Sequence, residues 1–317
     1  MAAAPARHSI IIDCDPGQDD ALALLLALAC PDEIELLAVT AVGGNVPLAL
    51  TSRNTRQIIE LSGRTDVPVY AGCAGPLFRR LETAEYVHGA TGLNGVALPE
   101  PSIPLREEHA VDAIVDLVRG RPEGTVTLCL IGPLTNVALA FAKAPDIVPR
   151  LKGVVLMGGA IGLGNVTPAA EFNIYVDPHA AAAVFGAGAP LTMLGLDVTH
   201  KALVTPERLD RFGALGTRVG DACRGLLDFF NRFDRARYGF AGAPLHDPCV
   251  IAYLLRPDLF SGKDCRVEVE TEGGSVGRTN VHWWPREPQT PNAHVIDDLD
   301  ADGFFALLYD RLARLKG

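Results

Sequence analysis

Residues 13–20 place four carboxylates where a predicted strand passes into a predicted helix. The β-branched run at residues 10–12 is typical of a buried strand, and the Ala- and Leu-rich run at residues 21–29 favours a helix. Pro16 and Gly17 predict the sharp turn between these two elements. Because ligands of an open α/β sheet bind beyond the carboxyl ends of its strands, this junction is a candidate site.

The carboxylates of residues 13–20 require a neutralising partner, because side chains of like charge repel one another at short range. Oxygen donors without a neighbouring pair of His or Cys residues favour a hard cation, Ca²⁺ or Mg²⁺. The alternative is that Asp19 and Asp20 only cap the helix that follows them. Capping requires one or two carboxylates and the segment offers four, so we favour a cation site.

The composition excludes several classes of protein. The 317 residues are 48% hydrophobic and 21% charged, which is ordinary for a packed globular enzyme. A net charge of −10 argues against a nucleic-acid binder, because phosphate contacts require Lys and Arg. The seven scattered cysteines form no CxxC pair and favour reduced cytosolic thiols over zinc ligands or disulfides.

No membrane segment is expected. Residues 21–29 are very apolar but too short to span a bilayer. The Ala-rich tail at residues 1–8 lacks the apolar stretch of a signal peptide. These features together predict a cytoplasmic protein.

Strand and helix patterns alternate along the chain. A second strand at residues 34–42 completes a βαβ unit, so Asn45 is expected at the same sheet edge as Asp15. The patterns predict further strands at residues 67–70, 125–131, 154–157, 191–196, 266–270 and 279–282. They predict helices at residues 51–62, 110–118, 135–142, 178–185, 206–238, 249–255 and 304–315, and a long loop at residues 72–104. We therefore expect one α/β domain, residues 1–317, with a single open, mostly parallel central sheet and helices on both faces.

Two further polar clusters are assigned to strand-to-helix junctions, one formed by Asn165, Glu171 and Asn173 and the other by His246 and Asp247. Amides and a carboxylate suit the hydroxyls of a sugar, and a His beside an Asp suits proton transfer next to a metal ligand. Structural roles are the alternatives: loop turns for the asparagines, and a helix N-cap for Asp247.

For two other features the sequence does not decide between a structural role and a role in the site. Asp197 follows a predicted strand, where it is equally suited to a cap and to a site. Aromatic residues are frequent late in the helix predicted at residues 206–238, and core packing is favoured over substrate contact for Phe229, Phe230, Phe233 and Tyr238.

In these motifs the chain resembles the inosine-uridine preferring nucleoside hydrolases. The resemblance covers almost the whole chain in family order, and Gln18 stands where the family varies. It rests on residues 13–20, 43–45, 132–136, 157–160, 171–173, 177–178 and 246–248. It implies hydrolysis of the N-glycosidic bond of a ribonucleoside, a calcium ion, a role in purine and pyrimidine salvage, and a homodimer or homotetramer.

The resemblance also implies a role for each matching residue. The ligands of Ca²⁺ are expected to be the carboxylates of Asp15, Asp20 and Asp247 and the backbone carbonyl of Ile131. Asp15 is expected to take a proton from a water held by the ion, and His246 to donate a proton to the leaving base.

The remaining matches are expected to bind the substrate. Contacts with the ribose hydroxyls are implied for Asp19, Asn165, Glu171, Asn173 and Asp247. Around these, the resemblance implies that Asn45 places the water, that Met157 and Phe172 line the site, and that His88 and Tyr238 close over the base. It does not indicate whether the base is a purine or a pyrimidine.

The chemistry of N-glycoside cleavage fits these residue types. Positive charge builds on the ribose in an oxocarbenium-like transition state, which nearby carboxylates stabilise. A cation lowers the pKa of its bound water, and the leaving base requires a proton or a hydrogen bond.

Two other functions stay open. One is a ribonucleoside-binding protein of the same fold without catalysis, although the acidic and His residues are retained. The other is a phosphatase that uses an Asp nucleophile from the pair Asp13 and Asp15. It would require a later Lys and a Thr or Ser at a strand end, and the sequence shows no convincing pair.

Overall fold

The computed structural model describes residues 7–316, apart from the side chain of residue 234. The outer ends of the predicted domain, and residues 1–6 of the Ala-rich tail, lie outside the described residues. Within these limits the strands are β1 (His8–Cys14), β2 (Ile34–Ala41), β3 (Val69–Ala71), β4 (Val126–Leu130), β5 (Leu151–Met157), β6 (Leu191–Leu194), β7 (Phe260–Cys265), β8 (Val267–Val269), β9 (Thr279–Val281) and β10 (Ala293–Leu299).

The α-helices of the described part alternate with these strands. They are α1 (Gln18–Leu28), α2 (Leu48–Ser62), α3 (Glu85–His88), α4 (Ala110–Arg119), α5 (Thr135–Lys143), α6 (Phe172–Val176), α7 (Pro178–Gly186), α8 (Leu196–Thr199), α9 (Pro206–Gly213), α10 (Arg218–Tyr238), α11 (Pro248–Leu255) and α12 (Ala301–Leu312). None of them is both long enough and apolar enough to cross a bilayer.

The central sheet has eight strands in the order β3-β2-β1-β4-β5-β6-β10-β7. Each neighbouring pair is parallel except β10 with β7, which is antiparallel and forms one edge. Strands β8 and β9, both at positions predicted to be strands, form a separate antiparallel pair. The mostly parallel open sheet confirms the predicted fold class.

Helices cover both faces of the sheet because the buried strands are apolar on both sides. In β1, Ile10 and Ile12 belong to a core packed with residues of α1, α2, α10, α11 and α12. Ile11, between them, faces a second core that contains residues of α4, α5 and α7. All eleven residues of α1 are buried, which explains its apolar sequence.

The strand order reverses between β1 and β4, which lie side by side although β2 and β3 follow β1 in the chain. Connections on the two sides of this point leave in opposite directions and open a crevice at the carboxyl ends of the strands. Asp15 follows β1 and Ile131 follows β4, and the N–H of Ile131 donates to the carbonyl of Asp13 over 2.8 Å. The fold therefore places the acidic segment beside the predicted carbonyl ligand.

The structure corrects four local predictions. The sequence did not indicate β7 or β10, because β7 is a polar edge strand and β10 ends in acidic residues. The loop at residues 72–104 contains α3. The helix at residues 206–238 is two helices, separated at Gly216, where φ is +64°. Strand β6 ends at Leu194, and Asp197 lies in α8.

Candidate active site

A cavity that is open to solvent lies at the carboxyl ends of the central strands; the space within it, open solvent included, is about 690 Å³. Twelve of the fourteen residues predicted for the site line it: Asp19, Asn45, His88, Ile131, Met157, Asn165, Glu171, Phe172, Asn173, Tyr238, His246 and Asp247. The other two, Asp15 and Asp20, are fully buried next to these residues.

Asn45 connects Asp15 to Asp20 beneath the cavity. Its backbone N–H donates to Asp15 Oδ2 over 2.7 Å, and its side-chain Nδ2 donates to Asp20 Oδ2 over 3.3 Å. Asp20 also accepts from the N–H of Gly17 over 2.9 Å at the start of α1. Asp20 therefore both caps the helix and belongs to the site, two roles that the sequence presented as alternatives.

Three carboxylates form a compact cluster: oxygens of Asp19, Asp20 and Asp247 lie within 4.8 Å of one another. Burial raises the pKa of Asp19, Asp20 and Asp247, and the neighbouring carboxylates raise those of Asp19 and Asp247 further. The Asp247 side chain makes no helix-capping hydrogen bond, although Pro248 follows it at the first position of α11. Its carboxylate is thus directed to the cluster and not to the helix end.

The surroundings of Asp15 fit a cation. Its Oδ1 is buried and has no hydrogen-bond partner among the described residues. A Cβ on Gly44 would lie 2.0 Å from Asp15 Oδ2, and a Cβ on Gly132 would lie 2.6 Å from Oδ1, so only glycines allow the backbone this close. Burial and the charge of Asp20 raise the pKa of Asp15 well above its usual value. Buried oxygen donors left without a proton donor match the ligand preference of Ca²⁺.

Glu171 is held by backbone N–H groups at the start of α6. Its Oε1 accepts from Asn173 over 2.9 Å, and its Oε2 accepts from Gly159 over 2.9 Å and Ile174 over 3.2 Å. Burial raises the pKa of Glu171 to about 7. The carboxylate is therefore fixed in direction at the wall of the cavity.

Asn173 fixes the neighbouring wall. Its Nδ2 donates to the carbonyl of Ile131 over 3.3 Å and to the carbonyl of Met157 over 3.1 Å. Since the amide nitrogen faces these two carbonyls, the Oδ1 atom is the acceptor that Asn173 keeps for a ligand.

Two histidines, His88 and His246, also line the cavity. His246 Nδ1 lies 2.7 Å from the hydroxyl oxygen of Thr199, and His88 Nδ1 lies 2.6 Å from Gln18 Oε1. Removal from water, with the nearby rings of His200 and His88, lowers the pKa of His246 well below its usual value. The His246 ring is therefore neutral at pH 7 and keeps one N–H to donate.

Asn165 and Tyr238 contact each other at the mouth of the cavity. The Tyr238 hydroxyl donates to the Asn165 carbonyl over 3.4 Å, and Asn165 Oδ1 accepts from the N–H of Phe172 over 3.0 Å. Asn165 thus shapes its loop, and its side-chain nitrogen is the group it keeps for a ligand.

Sequence reasoning missed part of the lining. The additional residues are Ala84, Tyr86, Val87, Val166, His200, Phe230 and Phe233. Phe230, Phe233 and Tyr238 of α10 line the cavity, and Phe230 is also buried as core packing predicts, so the two roles are not alternatives for that ring. Helical spacing shows which aromatic residues share a face but not what that face contacts.

Asp197 has a structural role, although it is not the N-cap of α8, which is Gly195. Its carboxylate accepts from the backbone N–H groups of Ile161 and Gly162, over 2.5 Å and 3.2 Å. It does not line the cavity. The structure therefore resolves the choice left open by the sequence in favour of the structural role.

Comparison with known proteins identifies the family. Residues 10–306 match the family described as inosine-uridine preferring nucleoside hydrolase. The chain belongs to this family. The hydrolase is 48% identical over 305 residues to the pyrimidine-specific ribonucleoside hydrolase RihA of Escherichia coli O8 (strain IAI1), covering 96% of this chain and 97% of RihA. It is 49% identical over 308 residues to an uncharacterised protein of Schizosaccharomyces pombe, covering 96% of this chain and 99% of that protein.

Solved structures agree with the sequence match. The fold is similar to that of a purine-preferring ribonucleoside hydrolase from Gardnerella vaginalis, with a TM-score of 0.90 and 33% sequence identity. That match covers 97% of this chain and 99% of the other. The protein is therefore an enzyme, a ribonucleoside hydrolase, as the motifs predicted. The comparisons give no support to the phosphatase alternative.

Proposed function

We propose that this ribonucleoside hydrolase depends on one calcium ion held by Asp15, Asp20, Asp247 and the backbone carbonyl of Ile131. The observation that carries the proposal is the buried, partnerless Oδ1 of Asp15 beside a carboxylate cluster. When bound, Ca²⁺ supplies positive charge that lowers the pKa of a water and orients substrate hydroxyls. Asp19 belongs to the same cluster, and we assign it to the ribose because it lines the open cavity.

Asp15 serves as the general base in this proposal. A cation held by the cluster would offset the repulsion that raises the pKa of Asp15 and would favour its ionised form, which accepts a proton. The Asn45 N–H donates to Oδ2 and so fixes the carboxylate that accepts the proton from water. Such a positioned base contributes about 10²–10⁴-fold to a hydrolytic rate.

The ribose is oriented by the polar walls of the cavity. Asp19 and Glu171 supply carboxylate oxygens, and Asn173 keeps Oδ1 for a hydroxyl group. These negative groups stabilise the positive charge that develops on the sugar as the bond to the base breaks. Positioning of this kind is worth several kcal/mol of the barrier.

His246 assists departure of the base. The neutral ring donates from Nε2 when the Thr199 hydroxyl donates to Nδ1, and the two atoms lie 2.7 Å apart. A hydrogen bond to the base disperses the negative charge that it acquires on leaving. His246 thus acts as a hydrogen-bond donor without first becoming an imidazolium.

Pyrimidine ribonucleosides are the proposed substrates. The support is the 48% identity to RihA, described as pyrimidine-specific, over nearly the whole of both chains. The purine-preferring enzyme from Gardnerella vaginalis is 33% identical. We also propose a homodimer or homotetramer and a role in salvage in the cytoplasm; sedimentation of the purified protein tests the oligomeric state.

Release of reducing sugar tests the proposed function. The substrates are uridine, cytidine, inosine and adenosine, each with the untreated enzyme, with EDTA, and with Ca²⁺ added in excess of EDTA. We expect turnover that EDTA abolishes and Ca²⁺ restores, fastest with a pyrimidine. Full turnover in a chelator that strips bound calcium would refute the calcium dependence. Calcium binding without turnover of any nucleoside would instead support the inactive binding protein of the same fold.

A further inference from the structure

The side chain of Gln18 makes three hydrogen bonds that settle the orientation of its amide. It is fully buried at the first position of α1. Its Nε2 donates to the backbone carbonyls of His88 over 3.0 Å and Asn94 over 3.1 Å. Both partners only accept, so the NH₂ group must face them. The Oε1 atom therefore faces His88 Nδ1, 2.6 Å away.

This orientation determines where His88 carries its proton. An amide oxygen only accepts, so His88 Nδ1 must be the protonated nitrogen. Burial lowers the pKa of His88 to about 3, so the ring is neutral and has a single N–H. His88 Nε2 is then an acceptor with a free lone pair. No partner for it exists within the part of the chain that the structure describes.

The ring of His88 is also fixed in position. It stacks on Phe230 with centroids 5.5 Å apart and an interplanar angle of 21°. The backbone of Gly17 also comes so close to the ring that a Cβ there would lie 2.3 Å from His88 Nδ1. His88 lines the cavity, so its lone pair is presented at a fixed place in the lining.

We propose that Gln18 is a positioning residue that sets the tautomer of His88. His88 Nε2 then presents a hydrogen-bond acceptor to the base. This acceptor selects a base with a ring N–H, as uracil has at N3. The inference rests on the proposed function only in placing the base beside His88. His246 supplies a donor in the same cavity, so the two histidines differ in what they offer. Cytosine carries no hydrogen at N3 and does not match an acceptor there.

Nitrogen NMR on protein with ¹⁵N-labelled histidine tests the tautomer without any activity. The spectrum of His88→Asn identifies the resonances of His88. We expect a neutral ring with the proton on Nδ1 in the wild type. In Gln18→Met, which keeps the length of the side chain but removes its polar atoms, we expect the proton to move to Nε2, its usual place in water. A wild-type ring with the proton on Nε2 would overturn the proposal, whether or not the variant folds.

A substrate ratio supplies the second readout. With the proton on Nε2, His88 presents an N–H donor. This donor faces another donor, the N3–H of uracil, but matches the N3 acceptor of cytosine. We expect Gln18→Met to lower kcat/KM for uridine relative to cytidine by about tenfold. If Gln18 had a purely structural role, the variant would lower kcat/KM equally for uridine and cytidine. That result would contradict the inference. If the wild type shows the Nδ1 tautomer but hydrolyses no nucleoside, that result would count against the proposed function and not against the role of Gln18.

Gln57 offers a matched control on α2. It is also a buried glutamine whose Nε2 donates to two backbone carbonyls of the same long connection, those of Leu98 over 3.2 Å and Pro99 over 2.8 Å. Among the described residues, no hydrogen bond joins Gln57 to a histidine. We expect Gln57→Met to leave both the His88 tautomer and the uridine-to-cytidine ratio at their wild-type values. A tautomer change in this variant as well would show that the effect of Gln18 is not specific.

Discussion

The backbone N–H of Asn45 donates to Oδ2 of Asp15 over 2.7 Å and so turns the other oxygen of this carboxylate toward the chain that follows β4. That oxygen, Oδ1, is buried without a partner among the described residues. A buried carboxylate oxygen without a donor is costly unless a cation or a proton satisfies it. The hydrogen bond therefore links Asn45, which follows β2, to the carboxylate of Asp15, which follows β1.

Asp15→Asn keeps the shape of the side chain but removes the group that accepts a proton from water. We expect the variant to fold and kcat to fall by about 10³-fold. Reducing-sugar release measures the rate, and circular dichroism with thermal unfolding measures the fold. Turnover within tenfold of the wild type would remove Asp15 from the mechanism.

Asp197→Asn is the control for this prediction. Asp197 is also an acidic residue that accepts backbone N–H groups just beyond a strand, but it lies outside the cavity. We expect its kcat to stay close to that of the wild type even if its unfolding temperature is lower. Equal losses in both variants would indicate a general effect of removing an acid from this end of the sheet.

Replacing His246 by Gln should slow departure of the base by about 10²-fold in kcat. The loss should shrink with a 4-nitrophenyl riboside, because nitrophenolate leaves without a hydrogen bond from the enzyme. Thr199→Val should give a smaller loss, since it removes the hydroxyl beside His246 Nδ1, while Thr199→Ser keeps it. An equal loss for both leaving groups would contradict the assigned role.

Glu171 makes the stability of the calcium-free protein depend on pH. Burial raises the pKa of its carboxyl from 4.5 to about 7, so the folded protein binds a proton that the unfolded chain has released. The resulting stabilisation is complete below pH 4.5 and is lost as pH rises to about 7, by roughly 3 kcal/mol.

Urea unfolding in EDTA between about pH 5 and about pH 7.5 should show this decline. The Glu171→Gln variant should show a shallower decline, whatever its absolute stability. Parallel pH dependences of the two proteins would refute the contribution of Glu171.

Phe233 lies at the rim of the cavity, with its ring centroid 5.6 Å from that of Tyr86. Phe233→Ala should raise KM for the nucleoside about tenfold, because an aromatic contact with a base is worth about 1–3 kcal/mol. Phe229→Ala is the matched control on the same helix, since Phe229 does not line the cavity. Steady-state kinetics on both variants test this prediction. Equal KM values for the two variants would contradict a contact between Phe233 and the base.

The acidic end of the site was predictable because its parts are local in the chain. Turn residues, capping groups and β-branched runs around Asp15 and Asp20 determine one strand-to-helix junction. The rule that parallel strands end at one edge then placed Asn45 beside Asp15, whereas Ile131 and Met157 were assigned by the family resemblance. The four roles around Ca²⁺ follow from the family resemblance and not from spacing, and they stay predictions.

The hydrogen bonds that orient His88 and His246 could not be predicted, because their partners are distant in sequence. Gln18 and His88 are 70 positions apart, and Thr199 and His246 are 47 apart. Neither pair has a sequence pattern, since a buried glutamine or threonine looks like any other polar residue of its helix. The strands β7 and β10 were missed for a related reason: their polar residues face solvent at or near the sheet edge.

The floor and the rim of the cavity belong to different kinds of structure. Strand ends in the centre of the sheet supply Asp15 and Ile131, whereas α3 and α10, which are connections outside the sheet, supply His88 and Phe233. Mutations in the connections can therefore accumulate without disturbing bond cleavage. A library that varies only α3 and α10 is therefore expected to change the contacts with the base while leaving the reactive centre intact.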